Sequence, residues 1–176
     1  MTTFDLVLDN EVTYLPPPEK NEAGTQNFLG IMALINSLRV INTIGYDYIE
    51  KQEHILLTHT LNGFKSIPKI INYGDTKDIS DRLGITTFNI ENMYHHDVAQ
   101  ILANWKGISV RHGWFCAHPY CRRLMNATEA EAKEFLKNPE KKMLGMVRLS
   151  FALYNSIDEV NIFLNILEDI SLGKIK

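Results

Sequence analysis

Residue types able to do chemistry gather in one stretch of this 176-residue chain, Gly107-Ile108-Ser109-Val110-Arg111-His112-Gly113-Trp114-Phe115-Cys116-Ala117-His118-Pro119. A short apolar run leads into a loop holding an arginine, a cysteine and two histidines, a set that loops keep when they meet a ligand. Cys116 is the nucleophile of the set. The thiolate is the reactive form of cysteine, and Arg111, His112 and His118 nearby would favour it electrostatically. The plainer alternative is a small, half-buried loop residue. His112, Cys116, His118 and Cys121 are also zinc-ligand types, but they lack the paired Cys-x-x-Cys or His-x-x-x-His spacing of closed sites. Pro119 stiffens that span further, so no metal is expected. His95 and His96 are adjacent and point in different directions on a helix, which reads as a polar helix entry. Glu129, Glu131, Lys133, Glu134 and Lys137 read as a solvated helix face.

The elements that must position this loop follow from periodicity and punctuation. Leu6, Leu8 and Val12 suggest an extended segment, and Leu15-Pro16-Pro17-Pro18 a polyproline-like stretch barred from a sheet interior. Residues 1–26 therefore read as an arm that needs something to lie against. Asn27 to Ile44 predicts a helix apolar on nearly every side, hence buried on several sides, with Gly45 as its C-cap. Asp47 with Glu50 predicts the start of a second helix running to Ser66, with Ile49, Leu56 and Phe64 facing inward and Pro68 as its stop.

Strands are predicted at Lys69–Tyr73, Gly84–Ile90, Ile108–Arg111 and Met146–Phe151. Further helices are predicted from Asp97 to Gly107, with Val98, Ile101, Leu102 and Trp105 on one face, from the Thr128/Glu131 pair, and from Ser156/Glu159 through Ile170. Alternating strands and helices predict an α/β or α+β layer of sheet against helices. The organisation expected is an arm over 1–26, connecting helices over 27–68 and a compact module over 69–176.

Bulk properties narrow the partners. A net charge of −3 gives no electrostatic reason to expect nucleic acid or an anionic membrane. Met1-Thr2-Thr3-Phe4-Asp5 lacks the basic and apolar regions of a signal peptide, and no stretch has the length of a membrane-spanning helix. Two cysteines do not make a disulfide framework, which points to a reducing cytoplasm.

Four segments in sequence order resemble the class V aminotransferases and their cysteine desulfurase relatives, which are fold-type-I enzymes using pyridoxal 5'-phosphate. Glu22-Ala23-Gly24-Thr25-Gln26-Asn27 resembles the family's Glu-Ala-Gly-Thr-Pro-Asn, with glutamine for proline. Tyr94-His95-His96-Asp97-Val98-Ala99 is similar to the helix opening before the active-site loop. Val110 to Pro119 resembles the loop itself. Val147-Arg148-Leu149-Ser150, with Tyr154-Asn155 and Glu159-Val160, is similar to the final strand and helix.

The resemblance implies the C-terminal small domain of such an enzyme, preceded by the last stretch of its large domain. It implies that Arg148 clamps a substrate α-carboxylate with its planar fork, that Arg111 assists, and that Gly24 and Thr25 reach the cofactor phosphate of a partner subunit. Thr25 alternatively reads as an ordinary N-cap. For Cys116 the resemblance implies a persulfide carrier, although Trp114-Phe115 stand where desulfurases of similar loop pattern often have histidines. The family's cofactor lysine follows a histidine. The chain contains no His-Lys dipeptide, so the complete enzyme would use pyridoxal phosphate while none is expected to be bound covalently here. Activity in the isolated chain is therefore not expected. Its expected partner is a second copy or a separate N-terminal large domain, because the arm and the apolar helix need a surface to cover them. A non-catalytic binding or oligomerisation module is the alternative.

Overall fold

The computed structural model describes residues 3–138 and 144–175. The chain divides into two compact units, Met1–Tyr46 and Asp47–Lys176.

In the first unit, β1 (Phe4–Val7) and β2 (Val12–Tyr14) pair antiparallel. The extended segment thus forms a hairpin with itself. The proline run does not stay extended: it turns into a short 3-10 helix, Glu19–Asn21. Helix α1 (Phe28–Ile44) starts at Asn27, whose side chain accepts from the Gly30 amide at 3.0 Å. Asn27, not Thr25, is therefore the N-cap, because its carboxamide satisfies one of the orphan amides of the first turn. Gly45 ends the helix with φ +87°. None of the residues of α1 is buried, contrary to the burial its apolar composition predicts.

The second unit holds the core. Helix α2 (Tyr46–Ser66) starts one residue earlier than the Asp47/Glu50 pair suggests, so Asp47 sits in its first turn. A four-stranded sheet follows in the order β3-β4-β6-β5, from β3 (Ile70–Tyr73), β4 (Ile85–Ile90), β5 (Arg111–Gly113) and β6 (Met146–Ser150), every neighbouring pair antiparallel. Between strands run α3 (His95–Lys106), α4 (His118–Leu124) and α5 (Glu129–Lys137), and α6 (Ile157–Ser171) closes the chain.

Alternation along the strands divides the sheet into two faces. Thr86, Phe88 and Ile90 of β4 and Val147 and Leu149 of β6 are buried, the last four within the core that also contains Leu57, Leu61 and Phe64 of α2, Val98 and Leu102 of α3, and Phe163, Ile166 and Leu167 of α6. Phe64, Phe88 and Phe163 form its centre, with ring centroids 5.1, 5.9 and 6.2 Å apart in tilted or edge-on contacts. Thr87 and Arg148 alternate onto the opposite face.

Capping boxes at Thr128/Glu131 and Ser156/Glu159 start α5 and α6 as their residue types predict. Gly107 closes α3 in the left-handed region. Three local expectations change. The strand after α3 begins at Arg111 rather than Ile108. Trp105 is 56% exposed instead of joining the core face. The stretch 118–124, for which no element is predicted, forms α4, with Pro119 in its first turn where a missing amide costs nothing. Among the described residues, no single helix is long and apolar enough to cross a membrane.

Candidate functional site

The outer face of the sheet presents one polar rung. Tyr73 pairs with Thr87, Thr87 with Arg148, and Arg148 with Arg111, so four strands contribute one residue each at the same level. Directly opposed residues of an antiparallel pair share a face with their Cβ atoms about 5 Å apart. Arg148 and Arg111 are therefore like charges facing each other, an arrangement that destabilises a bare ladder and that a shared anion would relieve.

Arg148 is held from above. Its guanidinium carbon lies 5.4 Å from the centroid of the Phe115 ring, a cation–π contact. Phe115 and Cys116 both adopt left-handed backbone, with φ +53° and +57°. Two consecutive non-glycine residues in that region is an uncommon conformation that surrounding structure must enforce. It follows Gly113, at φ +103°, and turns back into α4. The loop is pinned on its inner side by Cys121, which is 2% exposed and donates its Sγ–H to the Trp114 carbonyl at 3.2 Å. Burial pushes the Cys121 thiol up, so it is an inert structural cysteine. Cys116, by contrast, is exposed.

The Nε of Arg148 is buried and has no hydrogen-bond partner among the described residues. A charged donor without a partner is costly in a protein interior, and native structures keep such groups where a ligand or water completes them. Beside it opens a cleft of about 430 Å³ whose walls include Tyr73, Thr87, Phe115, Tyr120, Met146 and Arg148. A carboxylate is the matching group, because a guanidinium offers it donors in a planar fork.

The histidines of the loop do not converge on Cys116. His118 opens α4 and stacks on Trp114, with centroids 5.1 Å apart and planes 6° from parallel. His112 turns to His95, Nδ1 to Nδ1 at 3.2 Å, while His95 Nε2 meets the Leu144 carbonyl at 3.2 Å. A carbonyl only accepts, so His95 carries its proton on Nε2 and accepts at Nδ1 from a proton on His112 Nδ1. Burial lowers the pKa of His95, and of His112 to the same side. Among the described residues no group of three or more His, Cys, Asp or Glu could hold a metal ion.

Gly24 and Thr25 lie in the first unit, both exposed, on a turn before α1, with Gly24 at φ +76°. The sequence points to Arg148, Arg111 and the loop, whereas Tyr73, Thr87 and the His95–His112 pair emerge only from the sheet register and the side-chain contacts. The alternation of β4 that placed Thr87 opposite the core was the available signal for the rung. Nothing local signals a contact between residues 95 and 112.

The aminotransferase class-V family profile matches residues 2–163. A probable cysteine desulfurase of Pyrococcus abyssi is 38% identical over 154 residues, covering 88% of this chain and 33% of that protein. One from Halalkalibacterium halodurans is 36% identical over 138 residues, 78% of this chain and 33% of its own length. The apo structure of a cysteine desulfurase from Thermococcus onnurineus superposes with a TM-score of 0.77 at 33% identity, over 97% of this chain and 38% of the other. The chain spans about a third of the length of the curated relatives it matches.

Proposed function

Because the chain belongs to the class V aminotransferase family, we propose that it is the substrate-gripping part of a pyridoxal-phosphate-dependent enzyme acting on an α-amino acid, with Arg148 as the carboxylate clamp. The observation that carries this reading is Arg148 on the wall of an open cleft, level with Arg111 on the neighbouring strand and with the Phe115 ring against its guanidinium. The family implies pyridoxal phosphate in the whole enzyme. The residues around Arg148 do not fit that group by themselves: no lysine lines the cleft, and Gly24 and Thr25 belong to the other compact unit. In this reading the lysine and the pocket for the cofactor come from protein outside this chain, and the chain alone does not turn over substrate. The exposed Cys116, lifted out by its left-handed backbone, is the sulfur-accepting nucleophile if the parent activity is that of the desulfurase relatives.

L-Alanine carries the carboxylate and amine of such a substrate without its sulfur. Titrated into ¹⁵N-labelled protein, it is expected to shift the Nε–H signal of Arg148 and to lose its binding in Arg148→Gln. A signal that stays in place at high amino-acid concentration refutes the clamp.

A second reading has its own observation. Helix α1 exposes Phe28 at 67% and Leu29 at 79%, with no buried residue along its length, as expected of a surface made to be covered by another protein. A non-catalytic oligomerisation module would use that helix and leave Arg148 idle.

A further inference from the structure

Imidazoles meet where α3 opens beside β5, on the face of the sheet opposite the arginines. His112 pairs across the ladder with Val147 of the core face, one position on from Arg111 and Arg148. Its Nδ1 lies 3.2 Å from Nδ1 of His95 while the ring centroids are 5.3 Å apart, so the two rings meet nitrogen to nitrogen rather than face to face.

His95 is fixed from several sides. It is 6% exposed, and its Nε2–H donates to the Leu144 carbonyl at 3.2 Å. Gly145, at φ +139°, lets the backbone close on this ring, because a Cβ there would run into its Nε2 and Cδ2. Asn89 Nδ2 holds that backbone in turn, donating to the Gly145 carbonyl at 2.9 Å. The ring has no room to turn, and its Nδ1 lone pair stays aimed at His112. His112 stands exposed on the edge strand and supplies the second nitrogen.

An imidazole whose other N–H is tied to a backbone carbonyl is the form in which proteins present histidine to a metal, since that bond sets the tautomer and the ring orientation. The spacing agrees as well. Zinc–nitrogen bonds of about 2.0–2.1 Å at a tetrahedral angle hold two nitrogens about 3.3 Å apart. The 3.2 Å between the two Nδ1 atoms is already that edge. A cation that takes the place of the shared proton needs little movement of either ring. The proton leaves His112 Nδ1 and is carried on His112 Nε2 instead, so both rings remain neutral.

We propose that His95 Nδ1 and His112 Nδ1 form a two-histidine site for a zinc-like divalent transition cation, with water in its other positions. Imidazole nitrogen suits zinc, copper and nickel, whereas magnesium takes oxygen. Two protein donors are fewer than closed or catalytic zinc sites use, so the site is open and exchangeable. His96 is not counted among the donors, because its Nδ1 faces Asp97 Oδ1 at 3.3 Å.

Zinc chloride titrated into the full ¹⁵N-labelled chain tests the site, with the histidine ring nitrogens followed by NMR. The Nδ1 signals of His95 and His112 are expected to shift together while both Nε2 atoms stay protonated, and magnesium chloride should leave them in place. His95→Gln and His112→Gln should each weaken zinc binding by at least about tenfold, the lower end of what loss of an outer-shell partner alone costs. Cys116→Ser removes the exposed thiol as a competing donor and should leave the ring response unchanged. Ring signals that ignore zinc, that answer magnesium equally, or that answer zinc only while Cys116 is present overturn the site. So does His112→Gln, a change at an exposed position, if it binds zinc as tightly as the parent chain.

Discussion

Gly63 sits in the last third of α2, where helix propensity alone favours replacement. Alanine is about 1 kcal/mol better than glycine in a helix interior. The packing opposes this. A Cβ built at Gly63 runs into the isobutyl group of Leu164 on α6, with Cδ2 at 2.7 Å, Cγ at 3.1 Å and Cδ1 closer still. Three atoms of one side chain would have to move, including the branch point, so a swing of a terminal methyl does not relieve the contact. Overpacking of this kind costs roughly 1–3 kcal/mol, which exceeds or cancels the propensity gain. Gly63→Ala is therefore expected to be neutral to destabilising, by up to about 2 kcal/mol. Urea unfolding followed by circular dichroism measures it, with an unchanged slope showing that the midpoint reports stability. Leu164→Ala removes the obstructing group, and in that background Gly63→Ala should become stabilising. The sign reversal between the two backgrounds is the diagnostic result. If Gly63→Ala stabilises the parent chain by its full helix propensity, the close approach of α2 and α6 does not exist.

Three further outcomes are expected. Burial holds the His95 pKa below its ordinary 6.5, so the unfolded chain binds a proton first as pH falls. The stability from its neutral form is complete above pH 6.5 and drains away as pH drops through that value toward the folded pKa; His112 shifts the same way. Thermal midpoints should fall between pH 7.5 and 5.5, and less steeply in His95→Gln, whereas identical slopes would show that His95 contributes nothing. Iodoacetamide should label Cys116 in the native chain and spare Cys121, as peptide mass spectrometry would report; equal labelling contradicts the buried Sγ–H to Trp114 contact. The chain should associate with rising concentration through α1, and Phe28→Ser with Leu29→Ser should weaken that association in sedimentation velocity; a monomer at every concentration removes the case for a covered helix.

What could be read without coordinates was whatever local physics dictates. The Thr128/Glu131 and Ser156/Glu159 pairs act within one turn of chain, and both start helices as their residue types require. The two-residue period of β4 puts Phe88 and Thr87 on opposite faces, and the structure buries Phe88 on the core side. Arg148 and the Cys116 loop stood out through resemblance and residue type. Long-range geometry was the part that could not be read. The His95–His112 contact joins a helix entry to an edge strand, and Arg111 falls beside Arg148 because β6 inserts between β4 and β5, a sheet order that no local signal dictates. The burial expected of α1 failed for a related reason: an apolar helix specifies that something covers it, but not that the cover lies in the same chain.

The strand that leads into the cysteine loop is also the margin of the sheet. At three residues, one of them a charged arginine and one a glycine bent to φ +103°, β5 offers too few aligned amides and carbonyls to template a foreign strand. That border ends bluntly before the exposed Cys116. Stickiness in this protein should then come from greasy side chains of α1 rather than from backbone-to-backbone zippering along β5, and fibrous deposits seeded at that border are not the form of aggregate to anticipate.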